Sequence, residues 1–354
     1  MITYFHNKKI ESMLGIIPET IGYFDEEASN YSFPIKQTMR LKKVMGYDKH
    51  RLSKETSTVS DFAVYGLNYM LDNNWIKREE IGALITVTLC PDYYVPHISN
   101  IVHDKCNLDQ NIVCYDIAQG CCGFLVGLSQ AFMLLEHIDK KVVLINGDVL
   151  SHKVSKRDRN DYPLIGDGCS ITIVGNDTSK DIYYEMHTDG NKSKALIIPA
   201  GAFRTPSTDE TKIMHDDGDG NFRSLDNICM DGGAVFNFVQ REVPPMIEET
   251  FARENKKMED FDWFLFHQPN KFMLQKLAEK VGIPKEKFPM NLVENYGNPS
   301  GASIPLTAIY NCKDTLLSKE NYCCLSAFGS GLYWGLMFIH IGKLSHCEII
   351  ESNL

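Results

Sequence analysis

Several things are scarce in this 354-residue chain. No window approaches the roughly 18 consecutive apolar residues that a membrane-crossing helix needs, so no span is expected. The opening MITYFHNKKIESML has no basic stretch leading into a long apolar run. Neither a secretory leader nor a transit peptide is therefore expected, and the cytoplasm is the expected location. Positive charge is in deficit, with 36 Lys and Arg against 46 Asp and Glu and a net charge of −10. A general nucleic-acid role would want the opposite balance, and an acidic partner must dock on a local basic patch. Metal-type cysteine spacing is missing as well. The 11 cysteines are odd in number, and the pairs Cys121/Cys122 and Cys323/Cys324 are adjacent rather than two residues apart. Most sit in apolar, strand-like runs, which points to reduced thiols rather than a disulfide scaffold or zinc site. No metal or redox cofactor is expected.

What is present is an alternation of short β-rich runs with helical patterns. ALITVTL (83–89), NIVCYDIA (111–118), KVVLING (141–147), SITIVG (170–175), DWFLFH (262–267) and YCCLSAF (322–328) read as strands of an α/β protein. VVLI and WFLF are apolar without alternation, as in strands covered by helices on both faces. A strand, a glycine-bearing turn and a small-residue helix occur near 112–135 and again near 288–311, which suggests two similar halves, 1–178 and 179–354. The polar stretch NDTSKDI marks the boundary, and 207–227, rich in Asp, Gly and Thr, reads as a solvated excursion.

Three positions could carry chemistry. In YDIAQGCCGFLVGLSQAFMLL, Cys121 falls where a strand gives way to a helix. Unpaired N–H groups there favour thiolate and offer donors to an oxyanion, so alkylation is expected to stay rapid below the ordinary cysteine pKa of about 8.5. A buried cysteine at a tight turn is more often only a small apolar residue. DWFLFHQPNKFMLQKLAEKVG places His267 at the end of a buried strand, with Asn270 as the cap of the next helix and Gly282 as its stop. A satisfied core histidine would look the same. In NLVENYGNPSGASIP, Asn298 lies in a Gly-Pro turn where turn chemistry alone would account for it. Taken together, one thiol and two neutral hydrogen-bonding groups are what a decarboxylating condensation requires. The thiol forms a thioester, and the other two hold an enolate oxygen as carbon dioxide leaves.

DIAQGCCGF, FHQPN and YGNPSGASIP resemble the cysteine, histidine and asparagine motifs of the 3-oxoacyl-ACP synthase III family, in matching order. GDVLSHKVSKRDRNDYPLIGDGCS and AFGSGLYWG resemble two further signatures, so the likeness runs from about residue 40 to 340. The resemblance implies a thiolase-like fold of two halves with mixed five-stranded sheets in an αβαβα arrangement. It implies that Cys121 accepts an acyl primer and that His267 and Asn298 hold the malonyl thioester as it decarboxylates. Backbone N–H groups of Cys121 and Ser330 would form the oxyanion hole, with Phe328 pressing on the nucleophile pocket. Asn270 and Arg159 match positions that contact the pantetheine arm and the nucleotide of coenzyme A.

Acyl carrier protein, coenzyme A thioesters and a second copy of the chain are the implied partners. Departures from the pattern stand at Arg40 and Val44, where the family supplies a tryptophan and an arginine to clamp adenine. Phe272 replaces a carrier-docking arginine, leaving Lys271 and Lys276 as substitutes. Val95 replaces a phenylalanine that closes the acyl pocket across the dimer, which implies a deeper pocket and a primer longer than acetyl. An acyltransferase or specialised condensing variant of secondary or surface-polysaccharide metabolism is the alternative reading, and a non-catalytic partner subunit the third.

Overall fold

Alternation of inward and outward side chains along continuous apolar strands predicts sheets covered on both faces, and the computed structural model, which describes residues 1–178 and 180–354, has two of them. The strands are β1 (Ile2–Phe5), β2 (Lys8–Pro18), β3 (Ile81–Thr88), β4 (Val113–Ala118), β5 (Lys141–Asp148), β6 (Gly168–Asn176), β7 (Ile182–Thr188), β8 (Trp263–Phe266), β9 (Glu320–Gly329), β10 (Tyr333–Gly342) and β11 (His346–Ser352). One sheet runs β11-β2-β6-β5-β3-β4 and the other β1-β7-β10-β9-β8. Both are mixed: β5, β3 and β4 are mutually parallel, as are β8 and β9, while β6 and β10 pair antiparallel to their neighbours.

The second sheet has the expected five strands and the first has six, because β11 adds in parallel to β2 at its edge. The termini are exchanged: β1 joins the sheet built from the later residues and β11 the sheet built from the earlier ones. The expected boundary between the halves abuts Ser179, which lies outside the described residues.

The principal helices are α1 (Ile35–Leu41), α2 (Val59–Asp72), α3 (Gly123–Leu134), α4 (Gly232–Arg253), α5 (Lys271–Val281) and α6 (Ser303–Ser318). Period-two alternation assigns the layers. Val142 and Leu144 of β5 and Leu265 of β8 face a central cluster with Phe124, Leu128 and Phe132 of α3 and Ile304 and Ile309 of α6. Val143 and Ile145 turn the other way, onto Phe62 and Leu67 of α2. Phe264 and Phe266 turn onto Phe238 and Ile247 of α4 and Leu274 and Leu277 of α5. The result is helix, sheet, two helices, sheet, helices.

α3 lies very close to the first sheet. A Cβ on Gly127 would stand 2.6 Å from Leu144 and one on Gly123 2.9 Å from Val87, so any larger residue would push the helix off. Both central helices start at the same end of the molecule, where the cysteine and asparagine motifs therefore meet.

Candidate active site

Three chain segments converge there on one cavity of about 960 Å³, and Cys121, His267 and Asn298 all line it. Cys121 lies between the β4 end at Ala118 and the α3 start at Gly123, next to the N-cap residue Cys122. Opposite it, β9 ends at Gly329, where a Cβ would lie 2.5 Å from the Cys121 sulfur. Only the missing side chain lets this turn approach, and the approach brings the Ser330 backbone N–H onto the sulfur. Burial pushes the Cys121 thiol up to about 11; the N–H groups of Ser330 and of Cys121 itself pull it down, while buried Asp148 raises it further. This reverses the low pKa expected from the helix start, because loss of water outweighs the helix terminus.

His267 follows β8 and is 1% exposed. Its backbone N–H donates to the Ser326 carbonyl at 2.8 Å, its Nδ1 lies 2.7 Å from the Ser303 hydroxyl, and its ring meets Phe328 edge-on with centroids 6.0 Å apart. Burial pulls its pKa down to about 3, against a smaller upward effect of the Ser300 backbone. The imidazole is neutral at any working pH.

Asn298 lies beyond the positive-φ turn of Gly297 (φ 76°), which closes on Gly166 of the neighbouring chain segment. Its backbone N–H donates to the Leu164 carbonyl at 2.8 Å, and its Oδ1 accepts the Ser300 N–H at 3.0 Å. Oδ1 is thereby assigned and engaged, and Nδ2 has no partner among the described residues. The amide presents its donor end to the cavity.

Asp148, at the end of β5, underlies the site. It accepts the Thr88 hydroxyl at 2.9 Å and the Leu89 N–H at 2.7 Å, tying two strand ends together, and burial raises its pKa to about 6.

The remaining positions named from the sequence divide. Phe328, Ser330, Arg159 and Asn270 line the cavity, as do Val44 and Phe272. Asn270 caps α5, accepting the Met273 N–H at 2.8 Å, and the Arg159 guanidinium lies 3.2 Å over the Phe33 ring. Phe272 stacks on Phe236 at 5.6 Å. Val95 is off the cavity wall and 79% exposed. Lys271 and Lys276 also lie off it, each paired with a carboxylate, Glu294 at 2.9 Å and Glu279 at 2.7 Å.

The segment 207–227, read as a solvated excursion, is mostly exposed, but part of it also reaches the wall. Asp217, Asp219 and Arg223 line the cavity, followed just beyond the segment by Ile228 and Met230. Arg223 reaches Asp158 at 3.0 Å, Asp161 at 3.6 Å and Asp217, so it fastens this segment to the loop that carries Arg159. The composition of 207–227 hid this because a long-range ion pair leaves no local periodicity. Ser303 was missed too, although its place inside the asparagine motif was the available signal.

The chain is similar to known proteins in sequence and in fold. Models of 3-oxoacyl-[acyl-carrier-protein (ACP)] synthase III match residues 115–190, and models of its C-terminal part match 251–341. A beta-ketoacyl-[acyl-carrier-protein] synthase III of Latilactobacillus sakei is 31% identical over 300 residues, covering 83% of this chain and 88% of its own. The chain belongs to the 3-oxoacyl-ACP synthase III family. A Campylobacter jejuni protein, itself only provisionally assigned as a 3-oxoacyl-[acyl-carrier-protein] synthase 3, is 34% identical and covers 97% of both chains. The crystal structure of a 3-oxoacyl-(acyl-carrier protein) synthase from Burkholderia xenovorans superposes with a TM-score of 0.91 at 27% identity over 99% of both chains. As a synthase III family member, the protein is a condensing enzyme of the acyltransferase type with the thiolase fold. No helix among the described residues is long and apolar enough to cross a membrane.

Proposed function

We propose that the enzyme loads an acyl primer on Cys121 and condenses it with a malonyl unit on acyl carrier protein, giving a 3-oxoacyl-ACP and carbon dioxide. The observation that carries the reading is the pair of groups facing the cysteine: a neutral imidazole and an amide whose donor end is free. A charged acid is unsuited to holding an enolate that must react, whereas two neutral donors stabilise it without quenching it.

In the first half-reaction the Cys121 sulfur attacks the primer thioester. A C–S bond forms, the donor's C–S bond breaks, and the proton of the thiol ends on the departing thiol. With the thiol pKa pushed up to about 11, deprotonation accompanies the donor's arrival rather than preceding it. In the second, the bond from the malonyl methylene to its carboxylate breaks and its electron pair passes into the enolate, held by His267 and Asn298. That carbon attacks the acyl carbonyl. The oxyanion formed is met by the N–H groups of Cys121 and Ser330, the cysteine thiolate leaves, and one proton restores the thiol. Phe328 and the apolar wall exclude water that would hydrolyse the acyl-enzyme. Ser303 positions His267 through Nδ1.

A pure acyltransferase has no use for an enolate pair, and a partner subunit has none for an acylated thiol. The test is carbon dioxide release from carboxyl-labelled malonyl-ACP by acyl-loaded enzyme. Release matched one to one by 3-oxoacyl-ACP is expected; acyl transfer without release would refute the condensation. A homodimer, coenzyme A thioesters as primer donors and operation without any cofactor complete the proposal, and the family likeness is what supports them.

A further inference from the structure

The Asn298 backbone hangs from a neighbouring stretch of chain. Its N–H donates to the Leu164 carbonyl at 2.8 Å, and its carbonyl accepts the Gly166 N–H at 3.2 Å. Both bonds run to the segment 164–167, which forms a parallel bridge with Asn298 at Ile165. Successive residues of a strand-like segment present their polar groups to opposite sides. The Ile165 carbonyl and the Asp167 N–H therefore face away from Asn298. Ile165 is 7% exposed, so its carbonyl needs a donor from within the protein.

That donor is a side chain. His50 is 2% exposed, and its Nδ1 lies 2.6 Å from the Ile165 oxygen. A carbonyl oxygen only accepts, which assigns the hydrogen to Nδ1. Nε2, across the ring, faces both carboxylate oxygens of Glu27 at 3.0 and 3.1 Å, and the Tyr162 ring meets the imidazole edge-on at 5.3 Å. His50 sits in an antiparallel ribbon of Ile21–Tyr23 with Lys49–Arg51, and the Arg51 carbonyl accepts the Asp167 N–H at 2.8 Å. The ribbon thus holds the segment at Ile165 and Asp167, while Asn298 is attached to it at Leu164 and Gly166. His50 also backs the turn itself, since a Cβ on Gly297 would stand 2.9 Å from the His50 Cβ. His50 is off the cavity wall and does not meet substrate.

Resting on the role proposed above for Asn298, we propose that His50 is a positioning residue: through the Ile165 carbonyl it fixes the segment that carries Asn298, and so sets where the enolate is held. An apolar side chain in its place would leave a buried carbonyl without a donor and Glu27 without its imidazole, and the segment would shift to satisfy them. A displacement of about 1 Å at a reacting group can cost about 10²-fold in rate. Cys121 stands on a different connection, from β4 into α3, so primer loading does not depend on His50.

The test compares the full-length wild-type enzyme with three variants. His50→Leu keeps bulk without a donor, His50→Asn keeps an amide donor where Nδ1 stands, and Glu27→Ala leaves the ring in place but unanchored. Each is read for acyl loading by intact mass, for carbon dioxide release from carboxyl-labelled malonyl-ACP, and for backbone hydrogen exchange in peptides spanning 164–167 and 297–300. His50→Leu is expected to slow decarboxylation at least about tenfold, to change loading less than about twofold, and to quicken exchange of the Asn298 and Gly166 N–H groups at least about tenfold. His50→Asn should recover decarboxylation to within about threefold of wild type, and Glu27→Ala should lose about threefold. Unchanged decarboxylation in His50→Leu, an equal fall in loading and decarboxylation, or no recovery in His50→Asn would overturn the positioning role. Should His50→Leu not fold, unchanged decarboxylation in Glu27→Ala would do the same. A wild-type enzyme that releases no carbon dioxide, while exchange at Asn298 still answers to His50, would leave the positioning role standing and sink the condensation instead.

Discussion

At the inner end of the cavity, Cys121, His267 and Asn298 are uncharged groups held by backbone and hydroxyl contacts, and desolvation keeps them so. Along its outer wall, one guanidinium, Arg223, is set among three carboxylates drawn from two loops. The inner end takes its rigidity from strand ends and helix starts, and the one acid beneath it, Asp148, is raised by burial to about 6. The outer wall takes its shape from charge, and burial raises Asp161 to about 7, within the working range. The three groups that face substrate thus stay neutral, whereas the outer wall is itself built from charged groups.

The comparison can be broken in several places. The largest effect is expected from Cys121→Ala, which removes the bond-forming atom and should lower condensation by at least about 10⁴-fold, read as product formed per enzyme. His267→Ala and Asn298→Ala should each slow decarboxylation by about 10²–10³-fold while leaving acyl loading within about tenfold, a split measured by labelled carbon dioxide and by intact mass. If loading fell as far as decarboxylation, the division of labour at the inner end would be wrong.

Arg223→Ala attacks the outer wall and should cost about 3 kcal/mol at pH 8, because Asp158 and Asp161 are left buried without their countercharge. The sign of its pH dependence follows from linkage. With the folded pKa of these acids above the unfolded value near 3.9, the native state binds more protons, so stability declines as pH rises. Denaturant melts should therefore show a smaller loss at pH 6 than at pH 8. A pH-independent loss would mean that the guanidinium acts by packing alone. Ser303→Ala should cost the least, about fivefold in decarboxylation, because one hydrogen bond to His267 is worth about 1 kcal/mol.

The same contrast governs what was legible in the sequence. Strand ends, the α3 start and the Asn298 turn are local features with their own periodicity and turn chemistry, so the three inner groups and the α/β layering could be read directly. The switch of β1 and β11 between sheets could not, since pairings as remote as Phe5 with Ile182 and Ser12 with His346 leave no trace in either segment. The wall formed around Arg223 escaped for the same reason: Asp158 and Arg223 are 65 positions apart and each looks solvated in its own neighbourhood. The Cys121 pKa was misread because its helix start is visible in sequence while its burial is tertiary.

The most direct test of the account is intact-protein mass spectrometry with peptide mapping, on wild-type enzyme and on Cys121→Ala, after exposure to parallel acyl-CoA and acyl-ACP panels and then to malonyl-ACP. The account predicts a single acyl adduct on Cys121, absent from the variant and discharged by malonyl-ACP. An adduct carried by Cys122 or another residue, or one that malonyl-ACP leaves in place, would contradict it.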